Sequence, residues 1–359
     1  MTLLLLVLVT ALVFEFINGF HDTANAIATS VATKVLTPRQ AIVLASMTNL
    51  LGAMWGTAVA KTIASGLVDP SIVNSEVIFC ALVGGIVWNL ITWWFGIPSS
   101  SSHALIGGLC GAALAAAGNK FSVIIWSQPS LTHWYEGKGL LWKVIVPMVG
   151  SPLIGFVIGF FFMGMLYALL RNTSPRAINS VFGKLQVFSA AGMGFMHGTN
   201  DAQKTMGIMA LALFAATKAG TLNDLPEWLS FLQIAEPAPG QSIEIGTWIK
   251  VLCAVTMAAG TASGGWKIIK TLGHRMAKLQ PIHGFAAETS SSVVLFMASH
   301  FGIPVSTTHN ISATIMGVGA ARRFSAVRWT VVERMLWAWL FTLPCSGLVA
   351  YALLRLIEA

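Results

Sequence analysis

Apolar residues run along the chain in ten stretches, near 1–33, 40–65, 77–96, 99–118, 144–170, 186–216, 247–265, 281–301, 304–321 and 335–357. Most match the roughly 20 residues that a helix needs to cross a bilayer core. The pattern predicts an all-α polytopic membrane protein with about ten spanning or re-entrant segments. Two short segments, 97–103 and 302–308, read either as tips of re-entrant hairpins or as loops between full spans. Residues 2–17 are apolar, but no Lys or Arg precedes them and no small-residue cleavage site follows. They read as the start of the first span rather than as a signal peptide.

Charge gives the orientation. Basic residues gather in 171–184, at Lys267, Lys270, Arg275 and Lys278, and at Arg322, Arg323, Arg328 and Arg334. The positive-inside rule puts these loops in the cytoplasm. The segment 221–246 carries Asp224, Glu227, Glu236 and Glu244 with no basic residue, which suits the outside. Threading through these anchors leaves the N-terminus, Asp69 and Glu76 outside and Lys34 and Arg39 inside.

Composition agrees. Charged residues are 9% of the chain, against about 25% in soluble domains. Apolar residues are 55% and mean hydropathy is +0.75. The net charge of +8 comes from short loops between spans, so it is a topology signal and not a nucleic-acid surface. Cys80, Cys110, Cys253 and Cys345 lie in apolar stretches without metal-type spacing and read as small hydrophobes. The partner this composition requires is a lipid bilayer.

Two motifs occur twice, in the same order. Residues 19–26 read GFHDTANA and 198–205 read GTNDAQKT; 96–107 read GIPSSSSHALIG and 302–313 read GIPVSTTHNISA. Asp22 and Asp201 are 179 positions apart, and His103 and His309 are 206 apart. The difference, 27, approaches the length of the polar insert 218–246. An odd number of spans separates equivalent elements, so the halves face opposite ways. The expected organisation is a first inverted repeat over 1–170, a cytoplasmic linker over 171–185, and a second repeat over 186–359 containing the external insert. Secondary transporters are built this way, with the substrate held where the repeats meet.

The repeated motifs carry the candidate chemistry. A carboxylate at a helix centre in the bilayer costs roughly 2.5–3.5 kcal/mol, so Asp22 and Asp201 are read as coupling-ion ligands, with Asn200 beside them. Gly19, Gly198 and the neighbouring Asn residues predict that both helices unwind there and free carbonyls for a cation. The competing reading is a helix–helix hydrogen-bond cluster. In PSSSSH and PVSTTH, Pro98 and Pro304 favour a helix start, and hydroxyls and free N–H groups then converge at a positive dipole end. Ser100, Ser101, Ser102, Ser306, Thr307 and Thr308 are therefore candidate anion ligands, with Asn25, Gln203 and Lys204 as further substrate-site candidates. Ordinary capping is the plainer alternative. His103 and His309 form a matched pair that could relay protons. Lys204 could instead pair with Asp201, or snorkel. Glu288 is an acidic residue in a span without a first-half match, and Glu15 is similar.

These motifs resemble the inorganic phosphate transporter (PiT) family, in a bacterial permease form. GFHDTANAIATSV is similar to the family's Gly-x-Asn-Asp-x-x-Asn signature, HGTNDAQKTMG to its second copy, and GIPSSSSH and GIPVSTTH to its hydroxyl-rich hairpins. The resemblance covers nearly the whole chain. It implies uptake of inorganic phosphate with cations, an inverted-repeat fold that is often a homodimer, no resident cofactor or metal, and residence in the bacterial inner membrane. By motif it assigns Asp22, Asn25 and Asp201 to the cation and phosphate region, Ser100–Ser102 and Ser306–Thr308 to phosphate contact, and Glu288 to an acidic position. His21 and Lys204 depart from the two signature Asn positions. Asn49 and Ile78 stand where sodium-coupled members tend to carry Glu, which favours H+ over Na+ as coupling ion. A divalent metal carried with phosphate as a neutral complex is a further implied substrate. Sulfate is the rival oxyanion, but it brings no proton to donate to the carboxylates. An intramembrane hydrolase lacks a nucleophile motif, and a passive channel suits broken helices at inverted positions less well than a carrier does.

The topology is testable. Ser230→Cys, on a background without the native cysteines, is expected to react with an impermeant maleimide from outside only. Labelling from the cytoplasmic side alone would overturn the inverted threading.

Overall fold

The computed structural model describes residues 1–359 apart from 66, 70–71, 130–136 and 238–241. Twelve helices are described: α1 (Thr2–Ala32), α2 (Pro38–Ala53), α3 (Ala58–Ser65), α4 (Ser75–Phe95), α5 (Ser101–Ala116), α6 (Val146–Leu169), α7 (Pro175–Lys218), α8 (Thr247–Ser263), α9 (Trp266–Lys270), α10 (Pro281–His300), α11 (Thr307–Arg322) and α12 (Trp329–Glu358). Large apolar side chains point outward, among them Trp94, Phe95, Phe161, Phe188 and Leu348, while Glu15, Asp22, Asp201, Lys204 and Glu288 are buried. Apolar outside and polar inside is the arrangement a hydrocarbon solvent favours.

Four of the described helices are long and apolar enough to cross a membrane, Thr2–Ala32, Ser75–Phe95, Leu141–Leu169 and Trp329–Glu358, and α2 with α3 adds a fifth, bent by 69°. The others fall short for identifiable reasons. Polar residues dilute α7 and α10, and α8 has 17 residues. α5 and α11 have 16 residues each, about 24 Å at 1.5 Å per residue. Helix α5 packs back on α4 across a turn at residues 96–100, and α11 on α10 across residues 301–306. The segments 97–103 and 302–308 are therefore hairpin tips, and both are largely buried.

Three expectations need correction. The helices carrying Asp22 and Asp201 do not unwind, since α1 and α7 are continuous through them. Gly19 and Gly198 serve close approach instead. A Cβ on Gly19 would sit 2.3 Å from the Met257 carbonyl oxygen, and one on Gly198 2.2 Å from that of Asn49. The breaks lie in the partner helices, between α2 and α3 at Gly56 (φ +78°) and between α8 and α9 at Gly264 (φ +74°). The linker expected over 171–185 is helical from Pro175, where Ser174 caps α7 through the Ala177 amide. The basic loop expected over 267–278 is mostly helical, and its Ile268, Ile269 and Leu272 are buried.

Helix α1 runs antiparallel to α7. Thr33 donates to Gln186 at 2.8 Å at one end, and Thr205 donates to Glu15 toward the other. Close contacts come in matched pairs. Gly260 of α8 meets the Phe16 carbonyl of α1, and Gly52 of α2 meets the Phe195 carbonyl of α7. Helix α6 packs chiefly on α11 and α12 on α5, so each half is completed by a helix from the other.

Gly198→Ala is expected to destabilise the fold by about 1–3 kcal/mol through overpacking against α2. Gly192→Ala, with open space around its Cβ, should be neutral. Thermal unfolding in detergent compares the two.

Candidate functional site

The two hairpin tips meet the middle of α1 and α7. Each tip starts a helix with a serine N-cap, as Ser100 accepts from the His103 amide and Ser306 from the His309 amide, both at 3.2 Å. The helices begin three residues after Pro98 and Pro304. Capping thus uses the second serine of PSSSSH and the first hydroxyl of PVSTTH; of the two that follow in each, Ser101, Thr307 and Thr308 turn to the carboxylates and Ser102 accepts from Lys204.

Asp22 and Asp201 are 2% and 0% exposed, a burial that demands donors. Asp22 accepts from Ser101 and, at 3.1 Å, from Thr308, and it lies 2.9 Å from His21 Nδ1. Ser101 is also within 2.7 Å of the Asn18 side-chain oxygen. Asp201 accepts from Thr307 at 2.6 Å and from the Lys204 ammonium, and His197 Nε2 lies 3.0 Å from it. Lys204 also donates to Ser102 and, at 3.0 Å, to the Val305 carbonyl. Asn25 donates to Thr307 and Thr308 at 3.1 and 2.9 Å. Asn200 donates to the Val305 carbonyl at 3.0 Å. Asn25 Oδ1 and Asn200 Oδ1 have no hydrogen-bond partner among the described residues. Donor atoms of Asp22, His197 and Asp201 lie within 4.8 Å of one another, a spacing that suits one cation.

Asp22, Asn25, Ser101, Ser102, Asn200, Asp201, Lys204, Thr307 and Thr308 thus form one cluster. Besides the capping Ser100 and Ser306, four candidates fall outside it. Gln203 caps the broken helix, since its side-chain oxygen accepts from the Val59 and Ala60 amides at 2.8 and 3.3 Å and its nitrogen donates to the Trp55 carbonyl at 3.2 Å. That is backbone repair at the α2–α3 break, not a substrate contact. Glu288 accepts from Thr29, Ser189 and Gln186. Thr29 lies seven residues beyond Asp22, about 10 Å along α1, so Glu288 heads a separate polar cluster. His103 and His309 lie edge to face with ring centroids 4.8 Å apart, and His309 stacks on Trp339 at 4.0 Å. Among the described residues no hydrogen bond joins either ring to a carboxylate, so the expected relay is not wired to them.

Two contributors lie outside the set expected from sequence. His21 is adjacent to Asp22, and His197 is four residues before Asp201, a spacing that puts both on one helix face. Glu15, held by Thr205 and Asn18, lies two turns before Asp22, as far along α1 as Thr29 lies after it, and like Glu288 sits apart from the aspartates.

Residues 18–350 match the model of the phosphate transporter family. The chain belongs to this family. It is a transporter of phosphate and not an enzyme, and a multi-pass protein of the bacterial plasma membrane. Family relatives include a Bacillus subtilis protein named a probable low-affinity inorganic phosphate transporter, 44% identical over 99% of this chain and 98% of its own length. A Rhizobium meliloti protein of the same name is 44% identical over 97% and 94%. A Mycobacterium tuberculosis relative is 45% identical over 97% of this chain and 76% of its own. The fold matches a solved structure named the sodium-dependent phosphate transporter, with TM-score 0.78, 23% identity, and coverage of 100% of this chain and 99% of that one.

Proposed function

We propose that this phosphate transporter is a secondary active symporter that takes up inorganic phosphate with protons and binds it between the two hairpin tips, where inverted halves meet. The observation that carries the reading is the convergence of Ser101, Ser102, Thr307 and Thr308 from two helix N-termini on one buried cluster. In the closed arrangement these hydroxyls serve the protein's own carboxylates and Lys204. An entering oxyanion takes over the hydroxyls and the helix N-termini, which favour negative charge without a dedicated cation. Asn25 Oδ1 and Asn200 Oδ1, unpartnered in the site, can accept from a phosphate O–H. Sulfate has no such proton, so the donor–acceptor balance favours phosphate.

Charge explains the need for symport. Asp22, Asp201 and Lys204 together leave one net negative charge in a low-dielectric interior. An anion added to this site needs accompanying positive charge. Proton coupling draws support from the two positions that weigh against sodium: Ile78 is in the apolar core, and Asn49 is engaged with Thr261 at 2.9 Å and His197 at 3.2 Å. Phosphate can also enter as a neutral complex with a divalent metal, the cargo cation meeting Asp22, His197 and Asp201. Sodium coupling is the second reading. The sodium dependence in the structural neighbour's name and the hydroxyl and amide oxygens around Asp22 favour it.

Two predictions test this. Ser101→Ala and Thr307→Ala are each expected to raise the phosphate KM by the worth of one charge-assisted hydrogen bond, about 1.5–3 kcal/mol or roughly 10- to 150-fold. Unchanged KM in both, with normal expression, would leave their hydrogen bonds to Asp22 and Asp201 as their only role. Asp22→Asn is expected to abolish accumulation driven by a pH gradient in proteoliposomes while sparing phosphate exchange, since an amide resembles a protonated acid. Accumulation by the unmodified chain on a sodium gradient alone, at fixed pH with a protonophore, would replace protons by sodium.

A further inference from the structure

The Lys204 ammonium has an unusual environment for an interior lysine. Its acceptors are a carboxylate oxygen of Asp201 on α7, the Ser102 hydroxyl at the first hairpin tip, and the Val305 carbonyl at the second, the last at 3.0 Å. An ammonium has three donors and no acceptor, so this tripod of oxygens satisfies it. Carboxylate, hydroxyl and carbonyl oxygens from three chain segments are also the ligand set of a small hard cation. Lys204 is 2% exposed, and these three oxygens match its three donors.

The corresponding place on α1, 179 positions earlier, is Asn25, which is neutral and turns its amide to Thr307 and Thr308. No lysine or arginine is among the partners described for Asp22, which are Ser101, Thr308 and His21. Of two carboxylates in matched positions, only Asp201 therefore holds an ammonium that cannot leave.

We infer that the Lys204 ammonium is a tethered substitute for one coupling cation: it fills a cation site built from Asp201, Ser102 and Val305 between both hairpin tips, and the mobile coupling ion is taken up beside Asp22 alone. This rests on the symport reading above and adds to it. Asp201 and Lys204 become a fixed neutral unit that latches the tips to α7 in every cycle, and Lys204 determines ion specificity rather than serving as a phosphate ligand.

The test compares the full-length protein with Lys204→Asn, which installs the residue of position 25 and empties the oxygen tripod, and with Lys204→Met, which fills the space without charge. In proteoliposomes, phosphate uptake by Lys204→Asn is expected to rise roughly tenfold when sodium replaces choline at fixed pH, equivalent to about 1.4 kcal/mol. Uptake by the unmodified protein should not respond, and Lys204→Met should lose uptake. Where Lys204→Asn does not transport, thermal unfolding in detergent without phosphate decides: sodium raises its midpoint and leaves the unmodified protein unchanged, because an ion that binds only the folded state stabilises it. Transport by Lys204→Asn with no response to sodium, absence of both transport and a sodium-dependent midpoint, or full uptake by Lys204→Met overturns the inference. Failure of the unmodified protein to take up phosphate under either gradient would count against the symport reading instead, and the unfolding comparison would still report on Lys204.

Discussion

Two carboxylates buried at the centre of an apolar molecule set the terms for everything around them. Asp22 and Asp201 are almost wholly shielded from solvent, and a carboxylate without donors in such a place is costly. Their donors come from the hairpin tips, Ser101 and Thr308 for one and Thr307 for the other. The tips must therefore reach the interior. That is why α5 and α11 are too short to cross a bilayer and why each begins with a prolyl turn and a serine cap. It is also why α1 and α7 lie close to α8 and α2. Gly19 and Gly198 let those backbones approach to within the width of a Cβ, and the carboxylates are then held where the tips can find them.

The same demand explains where the helices break. A helix broken beside Asp22 or Asp201 would place further unpaired carbonyls next to an anion, where they could only repel it. The continuous α1 and α7 keep those groups internally bonded, and the breaks are displaced to α2–α3 and α8–α9. There the freed amides find acceptors, as Val59 and Ala60 do on Gln203. A glutamine next to a lysine and an aspartate reads as a ligand in one dimension. In three, it is the patch on a broken neighbour.

That contrast marks what is legible in one dimension. The apolar runs, the duplicated motifs and the position of every residue in the central cluster except His21 and His197 can be read directly, because hydropathy and repeated polar residues in apolar surroundings are local signals. The unwinding expected at Gly19 and Gly198 fails because glycine has two uses in a helix, freedom of φ and absence of Cβ, and only the neighbouring helix decides between them. The separation of Glu288 from the aspartates is likewise hidden, since it depends on which turn of α1 faces α10. His197 is within reach: it lies one helical turn before Asp201, on the face that Asp201 itself marks as buried. Hairpin tips and plain loops look alike in sequence; burial of the tips at residues 99–103 and 303–309 separates them.

The remaining asymmetry bears on how such a site can work. With tips and aspartates matched in pairs, a strictly symmetric centre would hold two negative charges and resist any anion. Lys204 removes one of them, so the closed site carries a single unbalanced charge instead of two. A carrier must reorient both empty and loaded, and each uncompensated charge raises the barrier to moving through a low-dielectric interior. One fixed ion pair halves that burden in the empty state while leaving Asp22 able to demand a cation when phosphate arrives. On the reading proposed for Lys204, the identity of one residue in the second motif, lysine where the first has asparagine, sets how many ions accompany each anion.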